Sequence, residues 1–245
     1  MPRYKLLIEY DGTPFVGWQR QDHDLSVQAV VEDAFLKLCQ VAVTVFAAGR
    51  TDAGVHATGQ VFHVDLPRDM AADRVRDGLN FHMKPHPVAV RAAEQVSEDF
   101  HARFSATGRA YLYRIVNRRA PLALDANRAW RVPVRLDVEA MRAGARHLIG
   151  HHDFTTFRAS ACQAKSPVKT LDVLDVVRID DEIRITAAAR SFLHHQVRNM
   201  VGTLRMVGES KWSPDDVRTA LEAKSRAEGG PTAPPSGLYL TGVRY

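Results

Sequence analysis

The feature that most narrows the folds open to this chain is a rhythm. Short extended runs and amphipathic helices follow one another in one order through the first hundred residues, and in a similar order again afterwards. Tyr4 to Tyr10 reads as a strand, closed by the turn Asp11-Gly12-Thr13-Pro14 and followed by the aromatic pair Phe15 and Trp18. Ser26 is placed to cap a helix in which Val27, Val30, Val31, Ala34, Phe35 and Leu38 recur at three- and four-residue intervals. Strands over 43–48 and 60–66 come next, then a helix from Met70 to Leu79 and a strand from Pro87 to Ala93. The second round begins with a strand from Arg109 to Val116 and a helix from Asp137 to Ile149 striped by Met141, Ala145 and Leu148. Thr170–Ile179 and Glu182–Ala189 form a hairpin around Asp180-Asp181, and His194 to Val207 is a helix with Val197, Met200, Val201, Leu204 and Val207 on one face. Ser213-Pro214-Asp215-Asp216 opens a helix through Ala223 with an N-cap, a first-position proline and an acidic first turn. Gly229–Gly237 must be loop, and Leu238–Tyr245 closes the chain as a strand. This order predicts an α+β fold of two similar halves, residues 1–105 and 106–245, sharing a central, mostly antiparallel sheet with helices on one side.

A chain of 245 residues can bury one large core or two smaller ones. It holds no run of eighteen apolar residues, and Arg3, Lys5 and Leu6-Leu7-Ile8 do not read as a signal segment, so a cytoplasmic protein is expected. Cys39 and Cys162 stand far apart without Cys-x-x-Cys spacing, which argues for reduced thiols and against a disulfide framework or a zinc cluster.

The chemistry-bearing segment is Gly49-Arg50-Thr51-Asp52-Ala53-Gly54-Val55-His56, between two extended runs. Glycines bracket the polar residues, as where a backbone turns sharply or is closely approached. An acid beside a guanidinium favours its charged form, which suits Asp52 to a nucleophilic or electrostatic role more than to proton donation. Thr51 steadies the turn, and His56 reads as a structural or substrate-contacting imidazole. Glycosidase chemistry would need a second carboxylate, and none stands at a recognisable spacing.

The net charge of +5 is unevenly spread: Arg103, Arg109, Arg114, Arg118, Arg119, Arg128, Arg131 and Arg135 fall within residues 101–135 against the single acid Asp125. Arginine interleaved with Tyr111 and Tyr113 on extended backbone suits phosphate contact and base stacking. A base inside RNA has first to be extruded, and Tyr111 could stack on it. His151-His152-Asp153 and His194-His195 offer adjacent pairs whose side chains are expected to diverge, so no metal site is expected. Neither an ATP loop nor a dinucleotide fingerprint occurs. A non-catalytic RNA-binding module would use the same arginines without needing Asp52, and a metal-dependent nuclease would need clustered carboxylates.

From end to end the chain resembles the TruA family of tRNA pseudouridine synthases. The likeness is carried by Asp11-Gly12 through Gly17-Trp18-Gln19, Ser26-Val27-Gln28, Ala48 through Ala57, Phe100 through Ala106 running into Arg109-Ala110-Tyr111-Leu112-Tyr113, His152-Asp153-Phe154, Ser166-Pro167-Val168-Lys169, Ser191 through Gly202, and Pro235 through Leu240. Ala29 and the order Phe62-His63 depart from the family's usual pattern. The resemblance implies isomerisation of uridine to pseudouridine at positions 38, 39 and 40 of the tRNA anticodon stem-loop, without metal or organic cofactor. It implies that Asp52 is the catalytic aspartate, acting at sugar C1′, through a glycal or through the base. Tyr111, Arg50, Arg198 and His56 are then substrate-binding residues: Tyr111 stacks on the base and serves proton transfer at C5, Arg50 helps flip it, and Arg198 pairs with Asp52. It further implies a cytoplasmic homodimer with one tRNA lying across both subunits.

Overall fold

A computed structural model describes all 245 residues. Its elements run β1 (Arg3–Tyr10), α1 (Val27–Cys39), β2 (Phe46–Ala47), β3 (His56–Asp65), α2 (Ala72–His82), β4 (Val88–Val96), β5 (Gly108–Val116), β6 (Trp130–Arg131), α3 (Val138–Arg146), β7 (Gly150–Asp153), β8 (Val168–Ile179), β9 (Glu182–Ala189), α4 (Gln196–Gly208), α5 (Pro214–Ala223) and β10 (Leu238–Arg244). The chain divides into two compact units, Met1–Thr107 with Tyr239–Tyr245, and Gly108–Leu238. The class is α+β, with strand pairing mostly antiparallel.

In the first unit β1 lies between β3 and β4, antiparallel to both, while Tyr239 and Leu240 of β10 pair parallel with His56 and Ala57. The period of two in β1 sends Tyr4, Leu6, Ile8 and Tyr10 into the core. Helix α1 starts where Ser26 Oγ accepts from Ala29 N, and it buries Val27, Val30, Val31, Ala34 and Phe35. Phe62 on β3 meets Trp18 at 5.9 Å and Phe35 edge-on at 6.4 Å, which ties sheet, helix and the turn after β1 into one core.

Several expected bounds shift, two of them in the first unit for visible reasons. The strand expected over 43–48 shortens to Phe46–Ala47, because Val45 N bonds the Glu32 side chain at 3.3 Å instead of a ladder partner. The helix expected from Met70 begins at Ala72, because Tyr4 Oη ties down Asp69 Oδ1 and Met70 O, each at 2.7 Å.

In the second unit the antiparallel order is β5-β9-β8-β7, with β6 parallel to β5. Ile183, Ile185, Ala187 and Ala189 point from β9 into the core, and α4 buries Val197, Met200, Val201, Leu204 and Val207. Helix α5 opens with a complete capping box, Ser213 Oγ accepting from Asp216 N and the Asp216 carboxylate accepting from Ser213 N. Helix α4 begins at Gln196 rather than at His194, since His195 takes left-handed backbone at φ 62°.

Candidate active site

The polar run after β2 is clamped by the turn that follows β1. Gly17 and Asp52 form an antiparallel bridge, Trp18 N donates to Thr51 O at 3.1 Å, and Gly54 N donates to Phe15 O at 3.2 Å. The loop closes on itself through Val55 N to Asp52 O at 3.1 Å, with Gly54 at φ 74°. Beneath it, the hydroxyls of Tyr10 and Thr51 lie 2.8 Å apart in a buried contact. Two glycines permit this approach. A Cβ on Gly12 would stand 2.1 Å from Val55 O, and one on Gly17, at φ 113°, would stand 2.5 Å from Thr51 O. The incoming chain is fastened as well, by Ala48 N to Val61 O at 2.8 Å and Gln60 Nε2 to Gly49 O at 2.7 Å. The result is a braced turn that leaves Asp52 half-buried and Arg50 exposed.

Arg50 forms no ion pair with Asp52, although only Thr51 stands between them in sequence, and its guanidinium faces solvent. His56 is buried, stacked at 4.6 Å on the Tyr239 ring, and its Nδ1 accepts from Gly12 N at 3.0 Å. Asp11 Oδ1 lies 3.2 Å from the same nitrogen. That oxygen accepts from Thr13 N and Thr13 Oγ1. Further along β3, His63 repeats the arrangement: it is buried, and its Nδ1 accepts from Ala102 N at 3.1 Å. Burial first, then the charges of His101 and Arg3, lower its pKa to about 4.

Tyr111 and Arg198 belong to the second unit. Tyr111 sits half-buried on β5 opposite Ala187, with Phe192 edge-on at 5.1 Å. Arg198 lies in the first turn of α4, where its Nε donates to Ala233 O at 2.8 Å and Ala233 N returns a bond to Arg198 O at 3.1 Å. The glycine and proline rich loop is drawn onto α4 at Gly202, where a Cβ would stand 1.6 Å from Pro231 O. Asn199 secures it further, its Oδ1 accepting from Thr232 Oγ1 at 2.6 Å and its Nδ2 donating to Phe157 O. Arg205, one face with Arg198 in sequence, is instead held by Glu209 and the Trp130 ring.

The arginine-rich run is partly neutralised by its own Asp125 and by two acids outside its window, Asp181 and Glu182. Arg114 bonds both oxygens of Glu182 and reaches Asp125, while Arg118 pairs with Asp181 at 2.9 Å. These arginines brace the β8–β9 hairpin, and the hydrogen bonds of Arg114 hold the Glu182 carboxyl below its ordinary range. The histidine pairs behave differently from each other. His151 Nδ1 meets Thr170 Oγ1 at 3.0 Å and His152 Nε2 meets Ile149 O at 2.9 Å, both on the edge strand β7. The rings of His194 and His195 do not diverge as expected: their centroids lie 4.0 Å apart, brought together at the left-handed residue His195.

Residues 6–105 and 145–245 match the family described as tRNA pseudouridine synthase. The tRNA pseudouridine synthase A of Paramagnetospirillum magneticum is 76% identical over 245 residues, which cover 100% of this chain and 96% of that protein. The chain belongs to the TruA family of tRNA pseudouridine synthases. Further TruA relatives are the tRNA pseudouridine synthases A of Rhodospirillum centenum, 62% identical, and Xanthobacter autotrophicus, 60% identical, each aligned over the whole of both chains. As a TruA-family protein it is an isomerase whose substrate is tRNA. No helix in it is long and apolar enough to cross a membrane.

The sequence reading passed over the turn from Tyr10 to Trp18 as part of this site. Its signal is Gly12 and Gly17 on either side of Phe15, with Trp18 directly after, two glycines close together where nothing in β1 or α1 calls for them.

Proposed function

We propose that this TruA-family enzyme converts uridines 38, 39 and 40 of the tRNA anticodon stem-loop to pseudouridine, with Asp52 as the catalytic carboxylate. The observation that carries the reading is the clamp on Asp52. A half-exposed acid sits on a turn fixed by backbone bonds from Trp18 and Gly54 and by the close approach of two glycines. Such rigidity fits a group that must meet one atom of a flipped nucleotide, since about 1 Å of misplacement costs on the order of 100-fold in rate.

The reaction breaks the N1–C1′ bond and forms C5–C1′, while C5 loses a proton and N1 gains one. Atoms and electrons balance within the nucleotide, so the step calls for an acid or base and a nucleophile or charge stabiliser but no oxidant. Asp52 acts at the sugar or the base to release N1. Arg50, exposed and without a carboxylate partner, enters the RNA to help expel the base and replace it in the stack. Tyr111 lies under the flipped base and takes part in proton transfer at C5, and Arg198 contributes a charge to the bound nucleotide. His56 acts from beneath the loop, as the imidazole that holds Gly12 against Val55. The enzyme works in the cytoplasm as a homodimer with one tRNA across both subunits.

The test is a nucleotide-resolution map of pseudouridine in tRNA transcripts carrying uridine at 38, 39 and 40 after incubation with the purified protein. Modification confined to those positions is expected. Modification elsewhere, or none, overturns the assignment.

A further inference from the structure

Phe104 is 75% exposed, on a turn that is not free to move. Every backbone N–H from residue 101 to residue 105 is bonded. His101 N donates to Ser105 Oγ, Ala102 N to His63 Nδ1, Arg103 N and Phe104 N to His101 Nδ1, and Ser105 N to His101 O. Tyr245 Oη and Arg3 Nη1 hold the carbonyls of Ala102 and Phe100, each at 2.9 Å. The fold therefore fixes a large apolar ring in water, forgoing the stabilisation that burying it would contribute.

The surroundings of that ring are aromatic and basic rather than aliphatic. The His101 ring lies 4.3 Å from Phe104, the Arg103 guanidinium 5.9 Å from the Phe104 centroid, and Phe46, itself 46% exposed, packs 5.9 Å from His101 and stacks on His63 at 5.1 Å. A flat ring beside a guanidinium matches the two faces of a nucleotide, base on ring and phosphate on cation. Aromatic rings and arginine also occur at contacts between copies, which the measurement of oligomeric state below separates from RNA binding. Phe46 is four residues before Arg50 on chain fastened to β3, a span of at most about 14 Å, so the patch borders the loop that carries Arg50 and Asp52.

We propose that Phe104, flanked by Arg103 and His101 and backed by Phe46, is a stacking platform for an unpaired base of the tRNA. The platform rests on tRNA being the substrate and not on which carboxylate reacts. It adds a contact that positions the RNA beside the active site.

The experiment compares wild type with Phe104→Leu and Phe104→Trp, measuring tRNA affinity, the kcat and KM split, and oligomeric state by sedimentation. Phe104→Leu keeps an apolar side chain but removes the π-face, so about tenfold weaker tRNA binding is expected, with kcat/KM falling chiefly through KM. Phe104→Trp restores both. The proposal is overturned if Phe104→Leu binds tRNA like wild type, if tryptophan fails to rescue, or if the affinity loss accompanies dissociation into single chains, which would make the patch a contact between copies. A wild-type enzyme that modified other positions, with Phe104→Leu still losing tRNA, would refute the positional assignment and leave the platform standing.

Discussion

Replacing Gly12 with alanine isolates the clamp on the Asp52 turn. The added Cβ would stand 2.1 Å from Val55 O, 2.5 Å from Val55 C and 3.0 Å from Gly54 C, all backbone atoms of the turn itself. Close-packed interiors offer no slack there, so the two segments must part by about 1 Å. Overpacking of this kind costs about 3 kcal/mol, and parting also stretches the 3.0 Å bond from Gly12 N to His56 Nδ1. The same 1 Å moves Asp52, which is expected to lower kcat by on the order of 100-fold while tRNA binding, made over a wide surface, changes little. Gly242→Ala is the control, because a Cβ there meets nothing within 4 Å, and its stability should stay within about 0.5 kcal/mol of wild type. Urea unfolding gives the stability change, and pseudouridine formation at saturating tRNA gives kcat. If Gly12→Ala unfolded at the wild-type midpoint and turned over within twofold of wild type, the turn would not be held by this contact and the reasoning from glycine approach would fail.

Two further outcomes follow from the same geometry. His63 has a folded pKa of about 4 against the ordinary imidazole value of 6.5, so between those pH values the unfolded chain binds the extra proton. Its contribution is fully present above pH 6.5, declines as pH falls and is lost by about pH 4, for a total of about 3 kcal/mol; urea midpoints of wild type minus His63→Gln across that range measure it, and a flat difference refutes it. The Tyr113 hydroxyl donates to Pro234 O at 2.7 Å from a fully buried ring, so Tyr113→Phe leaves that carbonyl without its donor and should cost about 1–2 kcal/mol in urea unfolding, whereas an unchanged midpoint would show the bond to be idle.

Much of the fold could be read from periodicity because helices here bury one stripe and strands alternate. The stripe of α4 and the hairpin of β8 and β9 stand where the apolar spacing put them, and Ser26 and Ser213 cap the helices they precede. What escaped was set by partners remote in sequence. β7 was hidden because His151-His152-Asp153 looks like a ligand cluster, and only its pairing with residues 168–171 makes it a strand. The extent of β2 depended on Glu32 taking the Val45 N–H, and the balance of the arginine-rich run depended on Asp181 and Glu182. At the candidate site, the polar run 49–56 was visible in its glycines and its acid. The expected Arg50–Asp52 pair is not formed, and the clamp from Tyr10 to Trp18 shows in the sequence only as the closely spaced Gly12 and Gly17, since a bridge between Gly17 and Asp52 leaves no mark on local periodicity.

The most direct test of the central claim is single-turnover pseudouridine formation by Asp52→Asn, with enzyme in excess over tRNA and binding measured on the same samples. An amide keeps the size and the backbone clamp of the turn while removing the carboxylate. The account predicts wild-type tRNA binding with product formation slowed by more than about 1,000-fold. Product formed by Asp52→Asn at close to the wild-type rate, with tRNA equally bound, would contradict it.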